Sequence, residues 1–285
     1  MVEQQTDYSF KDVTPTRIAL LILGAIILVL VIHWLADEDY KVYRVKSMKV
    51  KVASLSQVEL LQDSLVKPFL YSNVAGLELL DPVRIKHTFI SVVLPAVLVA
   101  KHNMKEDSLR LARLTKKKHW SKSDSALYLE LKNQFRAKDL DNLLARMGSL
   151  PNSIVLAQAA VETGWGQSRF FLEGNNVFGI WSYNANEPRI QTSRDRENTS
   201  VFVRSYENIS ESISDYFKTL ASARAYYALR KARLETNDPF KLLPHLKYYS
   251  ERRTAYTDQL KSVILKNDLT RYDRYIIDPH YLVSE

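Results

Sequence analysis

The segment Leu150–Phe170 reads LPNSIVLAQAAVETGWGQSRF and decides the fold of the region around it. Asn152 or Ser153 follows a proline and can cap the start of a helix. The next residues are apolar on nearly every face, which is typical of a helix buried in a core. Gly164 can take the left-handed backbone conformation that ends a helix. The segment therefore predicts a buried helix that ends at Gly-Trp-Gly.

Two polar residues, Gln158 and Glu162, interrupt this apolar helix and share one face of it because they lie four positions apart. The negative end of the helix dipole and burial both disfavour an ionised carboxylate in the last turn, so both raise its pKa. A carboxyl that holds its proton near neutral pH can act as a general acid. Glu162 is therefore the first candidate catalytic residue. The structural alternative is an ion pair with an arginine elsewhere in the chain.

Glycines and aromatic residues cluster just after this helix. Four of the seven glycines of the chain lie between residues 164 and 179. Trp165, Phe178 and Trp181 lie among or beside them, and Asn176 can add hydrogen bonds. Tight turns beside aromatic faces are typical of a groove that stacks sugar rings. The alternative is that the glycines form turns and the aromatic side chains form core.

Composition narrows the classes of function. The chain of 285 residues has 46% hydrophobic and 25% charged residues, as expected for a globular protein. Its net charge of +8 favours an anionic partner such as nucleic acid, lipid headgroups or acidic cell-wall polymers. The absence of cysteine excludes disulfides, thiolate metal sites and a cysteine nucleophile.

Sequence motifs narrow the classes further. The six histidines show no zinc-protease spacing, and the chain has neither a phosphate-binding loop nor a dinucleotide-binding glycine pattern. We therefore expect no metal and no cofactor. The basic residues are scattered and not interleaved with aromatic residues as in a nucleic-acid-binding module, so no nucleic acid is expected.

Residues 18–36 form an apolar stretch of about 20 residues, the length needed to cross a bilayer. A cleaved signal peptide is the alternative, but a polar lead precedes the stretch and no small-residue cleavage site follows it. We predict a short cytoplasmic tail over 1–17 and one transmembrane helix over 18–36. The charges on either side of the stretch do not decide its orientation.

The rest of the chain divides into three parts. We expect a juxtamembrane linker and a first helix over 37–80, a catalytic domain over 81–268 with its central motif at 151–181, and a C-terminal tail over 269–285. The apolar run 89–100 is too short to span a membrane and contains a proline, so it predicts a kinked, buried helix. The aromatic-rich tail is expected to pack on the domain, with docking to a partner as the alternative.

The quoted segment resembles the central motif of a known family, the bacterial glucosaminidases, peptidoglycan hydrolases described as mannosyl-glycoprotein endo-β-N-acetylglucosaminidase-like. The similarity continues in EGNNVFGIW and FVRSYENISESISDYFKTL, and flanking segments such as FISVVLPAVLVAKHN are similar to the membrane-anchored Bax-type members. It covers roughly residues 81–267. The resemblance implies a mainly α, lysozyme-like helical domain with a small β-hairpin flap.

The resemblance also implies roles for particular residues. Glu162 matches the family's catalytic glutamate, and Tyr249 matches a tyrosine that lines the cleft and assists hydrolysis. Thr163 stands where the family usually has serine and keeps the hydroxyl. The expected substrate-binding residues are Gln158, on the face of Glu162, and the groove residues Trp165, Asn176, Phe178, Gly179 and Trp181.

The second carboxylate is less well defined by the sequence. Within residues 189–203, IQTS and SVFV can pair as a hairpin across RDREN, which carries Asp195 and Glu197. We take Glu197 as a third candidate catalytic residue, with a solvated turn as the alternative. An inverting hydrolase needs a base about 6.5–9.5 Å from the acid, and a retaining one needs a carboxylate at about 5–5.5 Å. Without a second carboxylate at either distance, the N-acetyl group of the substrate would act as the nucleophile, or Tyr249 would hold the attacking water.

The resemblance implies an endo-β-N-acetylglucosaminidase that cleaves the GlcNAc–MurNAc β-1,4 bond of peptidoglycan glycan strands. A lytic transglycosylase and a non-catalytic cell-wall-binding membrane protein are the alternatives. Because the substrate lies outside the cytoplasm, the catalytic domain would face the periplasm from a single-pass anchor in the inner membrane. A restraining protein partner is also expected, but the sequence does not identify it.

Overall fold

The computed structural model describes residues 41–192 and 200–284. The predicted tail and membrane helix of residues 1–36 therefore lie outside the described residues. Within the described part there are nine α-helices: α1 (Pro82–Leu114), α2 (Lys122–Gln134), α3 (Leu140–Arg146), α4 (Asn152–Thr163), α5 (Arg169–Gly174), α6 (Ile209–Ser222), α7 (Tyr227–Glu235), α8 (Pro239–Leu242) and α9 (Thr254–Lys266).

The strands are short and form four small sheets in the described residues. They are β1 (Tyr43–Val45), β2 (Met48–Lys51), β3 (Leu65–Val66), β4 (Phe69–Ser72), β5 (Trp181–Ser182), β6 (Arg189–Gln191), β7 (Phe202–Arg204), β8 (Ile276–Ile277) and β9 (Leu282–Ser284). β1 pairs antiparallel with β9, β2 parallel with β4, β3 parallel with β8, and β7 lies between β5 and β6. The mainly α class is confirmed.

Helix α1 forms the centre of the core. Every residue from Thr88 to Ala100 is buried, and α1 packs against α4 and α6. The helix is long and apolar enough to cross a membrane, but 72% of its apolar window is buried inside the domain. The predicted buried helix is confirmed and includes Pro95, while the kink at that proline stays a prediction.

The described residues between 41 and 80 contain no α-helix, so the expected linker and first helix are wrong for this part of the chain. Met48–Lys51 alternates half-buried and exposed positions, which is the pattern of a strand with one face on the core. The pairing partners of β1 and β3 lie near the C-terminus, far from them in sequence. Such distant pairing is not visible in a local pattern, so the strands were not predicted.

The start of α4 is held by the C-terminal segment. The helix has no side-chain cap of its own, because Pro151 precedes it and Asn152 already lies within its first turn. Instead, the carboxylate of Asp273 accepts hydrogen bonds from the N–H of Ser153 at 2.7 Å and from its hydroxyl at 2.8 Å. The expected cap at Asn152 or Ser153 is therefore wrong. The C-terminal segment packs on the domain and caps its central helix.

The hairpin expected in the region 189–203 is present. β6 and β7 pair antiparallel, with Ile190 opposite Val203 and Gln191 opposite Phe202. The amide of Thr192 extends the pairing by donating to the carbonyl of Val201 at 2.8 Å. Residues 193–199, which carry Asp195 and Glu197, lie outside the described residues.

Candidate active site

The last turn of α4 brings Glu162 to the wall of a cleft. The helix ends because Gly164 adopts a left-handed φ of 59°, followed by Trp165 at 60° and Gly166 at 84°. The hydroxyl of Thr163 fixes this turn, since it donates to a carbonyl one helical turn earlier at 2.6 Å and accepts from the Gly166 N–H at 2.8 Å. Threonine thus supplies the hydroxyl that this turn needs.

The side chain of Glu162 is open to the cleft, so the burial that the apolar helix predicted is incomplete at this carboxylate. The protein around it still removes enough water to raise the pKa of its carboxyl above the usual value, and a hydrogen bond from Tyr256 opposes this rise. No cation of the described residues forms an ion pair with Glu162. The direction of the shift is the one that a general acid requires.

A chain of hydrogen bonds leads from the core to Glu162. The Tyr216 hydroxyl donates to Gln158 Oε1 at 2.5 Å, and Gln158 Nε2 donates to the Tyr256 hydroxyl at 3.0 Å. The Tyr256 hydroxyl in turn donates to Glu162 Oε1 at 2.8 Å. Every donor in the chain points toward the carboxyl group. Oε1 accepts this hydrogen bond, which leaves Oε2 as the oxygen available to carry the acidic proton.

Gln158 is 0% exposed, and both ends of its amide bind tyrosine hydroxyls. It therefore cannot contact a substrate directly, and its assignment as a substrate-binding residue is wrong. The sequence pattern placed it correctly on the face of Glu162. Its role is to hold Tyr256 in place. A buried polar side chain needs hydrogen-bond partners within the protein, and the Gln158 amide finds them in tyrosine hydroxyls.

Tyr249 lies beside Glu162 in a group of tyrosines. Its ring stacks on that of Tyr256, with 5.6 Å between centroids and 9° between planes, and its hydroxyl donates to the Phe178 carbonyl at 3.4 Å. Burial and the nearby negative charge of Glu162 raise the pKa of the Tyr249 hydroxyl well above its ordinary value. Tyr249 therefore stays protonated in the cleft wall and can act only as a neutral hydrogen-bonding group.

The cleft beside Glu162 has a volume of about 800 Å³. Three of the predicted groove residues line it, namely Phe178, Gly179 and Trp181. The Phe178 ring stacks on Tyr216 with 4.1 Å between centroids, whereas Trp181 is 41% exposed and presents an aromatic face. A cleft with an aromatic wall and a carboxyl group of raised pKa is suited to binding a polymer of sugar rings.

Two other predicted groove residues have structural roles. Trp165 packs edge-on against Phe89 at 5.7 Å and does not line the cleft. Asn176 is 1% exposed, and its side chain bonds the backbone of Ile180 and the carbonyl of Arg204. Asn176 thereby ties the cleft loop to β7. The assignment of Asn176 to substrate contact is wrong, because its buried side chain shapes the loop that carries the groove. The assignment of the half-buried Trp165 stays a prediction.

Asp215 is the other acidic residue on the described wall of the cleft. Its carboxylate accepts from Arg204 Nη1 at 2.6 Å and from the Tyr206 hydroxyl at 2.8 Å, and it is thus neutralised by an arginine. Glu197, the predicted second catalytic carboxylate, lies outside the described residues. No group of three or more potential metal ligands is found in 41–192 and 200–284.

Sequence reasoning missed several residues of the site. Tyr216 and Tyr256 are two of 16 tyrosines, and nothing local distinguishes them from core residues. Their position is set by the packing of α9 on α4 and of α6 on α1. The spacing between Tyr249 and Tyr256 was the one available signal. Lining residues contributed by α2, α6 and the turn after α2 were also missed; they are Asn133, Gln134, Arg136, Lys218, Thr219 and Ser222.

Comparisons with known proteins agree with this site. Residues 137–269, which include Glu162 and Tyr256, match the Glucosaminidase family, described as mannosyl-glycoprotein endo-β-N-acetylglucosaminidase. This region of the chain belongs to the bacterial glucosaminidase family. Among curated proteins, the chain is similar to Protein bax of Escherichia coli (strain K12), with 24% identity over 200 residues that cover 64% of this chain and 69% of that protein.

Solved structures align with part of the chain. The catalytic domain of the autolysin Auto from Listeria monocytogenes is 21% identical, with a TM-score of 0.37, and the alignment covers 58% of this chain and 96% of that one. The glycoside hydrolase domain of FlgJ from Salmonella typhimurium is 25% identical, with a TM-score of 0.36, over 49% of this chain and 89% of that one.

Proposed function

We propose that the chain is a peptidoglycan hydrolase, an endo-β-N-acetylglucosaminidase that cleaves the GlcNAc–MurNAc β-1,4 bond. The observation that carries the proposal is the placement of Glu162 on a cleft wall, with a raised pKa and no ion pair among the described residues, inside the region assigned to the glucosaminidase family. Protonated Oε2 of Glu162 would donate to the glycosidic oxygen as the bond breaks.

In this proposal the second half of the reaction does not use Asp215, since Arg204 and Tyr206 occupy its carboxylate. The N-acetyl group of the substrate attacks the anomeric carbon, or a water near Tyr249 does. Phe178 and Trp181 form the sugar-binding wall. Residues 18–36 would anchor the chain in the inner membrane, with the catalytic domain in the periplasm, where the glycan strands lie.

A lytic transglycosylase is the second candidate. It is favoured by one specific observation, namely that Glu162 is the unpaired carboxylate on the described cleft wall. In that reaction, which cuts the MurNAc–GlcNAc bond, a single glutamate acts first as acid and then as base. It leaves a 1,6-anhydromuramyl end.

The test uses the purified full chain and its E162Q variant on isolated sacculi, with soluble fragments identified by mass spectrometry. We expect the wild type to release fragments with reducing GlcNAc ends and E162Q to release none, while both give the same circular dichroism spectrum. Anhydromuramyl ends would establish the transglycosylase instead. Equal release by both forms would remove Glu162 from catalysis. Binding to sacculi without release by either would support a non-catalytic wall-binding protein.

A further inference from the structure

The charged side chains of the cleft are unevenly distributed. Five line it, and two of them, Arg204 and Asp215, form an ion pair at 2.6 Å. Glu162 is the remaining acid. Arg136 and Lys218 are the remaining cations, and neither side chain makes an ion pair or hydrogen bond with a residue in the described ranges 41–192 and 200–284. Within the described residues, the cleft wall therefore supplies no ion-pair partner for Arg136 or Lys218.

Arg146 brings these two cations to the same end of the cleft. Its Nη1 donates to the carbonyl of Phe135, which precedes Arg136, at 3.3 Å. The same nitrogen donates to the carbonyl of Ala221 at 2.8 Å and to that of Ser222 at 3.4 Å, at the end of α6. The end of α2 is thus clamped to the end of α6, the helix that carries Lys218.

Arg136 also holds an unusual backbone conformation. Its φ is +49°, in the left-handed region that normally favours glycine or asparagine after a helix. The N–H of Ala137 bonds the carbonyl of Lys132 at 2.9 Å, which is the closing hydrogen bond of this helix end. A glycine would fit here with less strain, so Arg136 occupies a position whose backbone conformation is unfavourable for it.

The residues that α2 and the turn after it add to the cleft, Asn133, Gln134 and Arg136, precede the region 137–269 matched by the family. Lys218, at the same end of the cleft, lies within that region. Two cations that carry no internal counter-charge are suited to a carboxylate-bearing ligand, because an arginine fork and an ammonium group both donate charge-assisted hydrogen bonds to carboxylates.

We propose that Arg136 and Lys218 form a subsite for carboxylates of the peptide stems of the glycan substrate. The proposal rests on the function proposed above, since it takes the cleft to bind peptidoglycan strands. The subsite makes the protein select strands whose muramyl residues carry stems, and it places the stem at the α2–α6 end of the cleft, with the sugar backbone beside Phe178 and Trp181.

The test measures binding of the full-length E162Q chain, which leaves the ligand intact, to three polymers. The first is peptide-bearing glycan strands. The second is the same strands after an amidase has removed the peptide stems, which leaves the lactyl carboxylates. The third is chitin oligosaccharides, which have no carboxylates. The variants R136G and K218Q, singly and combined, remove the cations, and K105A removes an exposed cation outside the cleft. Fragment release by the chain with Glu162 intact is recorded on the same strands.

We expect E162Q to bind peptide-bearing strands about tenfold or more tightly than the other two polymers. The R136G/K218Q pair should remove that preference without changing chitin binding, and K105A should keep it. Equal affinity for peptide-bearing and stripped strands overturns the stem assignment, as does a preference that survives the double variant. Stem-dependent binding without fragment release would keep the subsite and reject the hydrolase. If the chain releases fragments but the double variant keeps its preference for peptide-bearing strands, the hydrolase is supported and the subsite is rejected.

Discussion

The Tyr256 hydroxyl donates a hydrogen bond to Oε1 of Glu162 at 2.8 Å while itself accepting one from Gln158 at 3.0 Å. Tyr256 thus stabilises the ionised carboxylate and fixes its orientation at the same time. These two effects act in opposite directions on a general acid. The first lowers the pKa that desolvation raises, and the second holds the carboxyl group in one orientation on the cleft wall.

Replacement of Tyr256 by phenylalanine should separate these effects. Y256F removes a bond to the charged form of Glu162, so the pKa of Glu162 rises further. The limb of the pH–activity profile on which activity falls with rising pH should then move to higher pH, while kcat falls about tenfold or more from lost positioning. The measurement is kcat against pH. Y248F, at an exposed neighbouring tyrosine, is the control, and a limb that moves to lower pH would contradict the assignment.

Glu162 should also affect stability in a pH-dependent way. Because its folded-state pKa is raised, the folded chain binds a proton more tightly than the unfolded chain, so its contribution disfavours folding as pH rises through the window above about 4.5. E162Q should therefore be at least as stable as the wild type at pH 7 and lose its advantage at pH 4. Urea unfolding at the two pH values tests this. A less stable E162Q at pH 7 would contradict it.

Two glycines at the end of α4 should respond differently to alanine. At Gly166 a Cβ atom would lie 2.6 Å from Leu77 and 2.9 Å from Phe89, both fully buried, whereas nothing lies within 4 Å of the position at Gly164. G164A should cost about 1 kcal/mol, the cost of a left-handed alanine, and G166A about 2–4 kcal/mol because the core must also shift. Urea unfolding measures the loss of unfolding free energy in both variants. Equal losses would show that the core around Gly166 can shift at little cost.

The cap on α4 gives a third stability prediction. D273A leaves the N–H and hydroxyl of Ser153 without their acceptor, so it should lower the free energy of unfolding by about 1–2 kcal/mol. D258A, at an exposed aspartate of α9, is the matched control and should change it by less than about 0.5 kcal/mol. Comparable losses in the two variants would mean that Asp273 does not act as a cap.

The sequence predicted the elements that depend on local pattern. The apolar run around α4, its end at Gly164 and the hairpin formed by β6 and β7 were all visible, because helix and strand periods and turn residues are local signals. Glu162 stood out for the same reason, as a lone carboxylate in an apolar helix.

The parts that were missed depend on residues far apart in sequence. Asp273 caps Ser153, and Tyr256 reaches Glu162, only because the C-terminal third folds back around α4. Asn176 was misassigned because a polar residue near a catalytic motif has the same sequence signal whether it faces the ligand or supports the loop.

The pairing of β1 with β9 and of β3 with β8 has a consequence for biosynthesis. Tyr43 pairs with Ser284 and Leu65 with Ile276, so these early strands find their partners only after residues 276 and 284 have been synthesised. Contacts this distant in sequence close late, because the loop between them must be ordered first. Asp273, which caps the helix of Glu162, belongs to that final segment. A chain that is truncated or interrupted before residue 273 would therefore lack both strand pairings and the cap on the helix that carries Glu162.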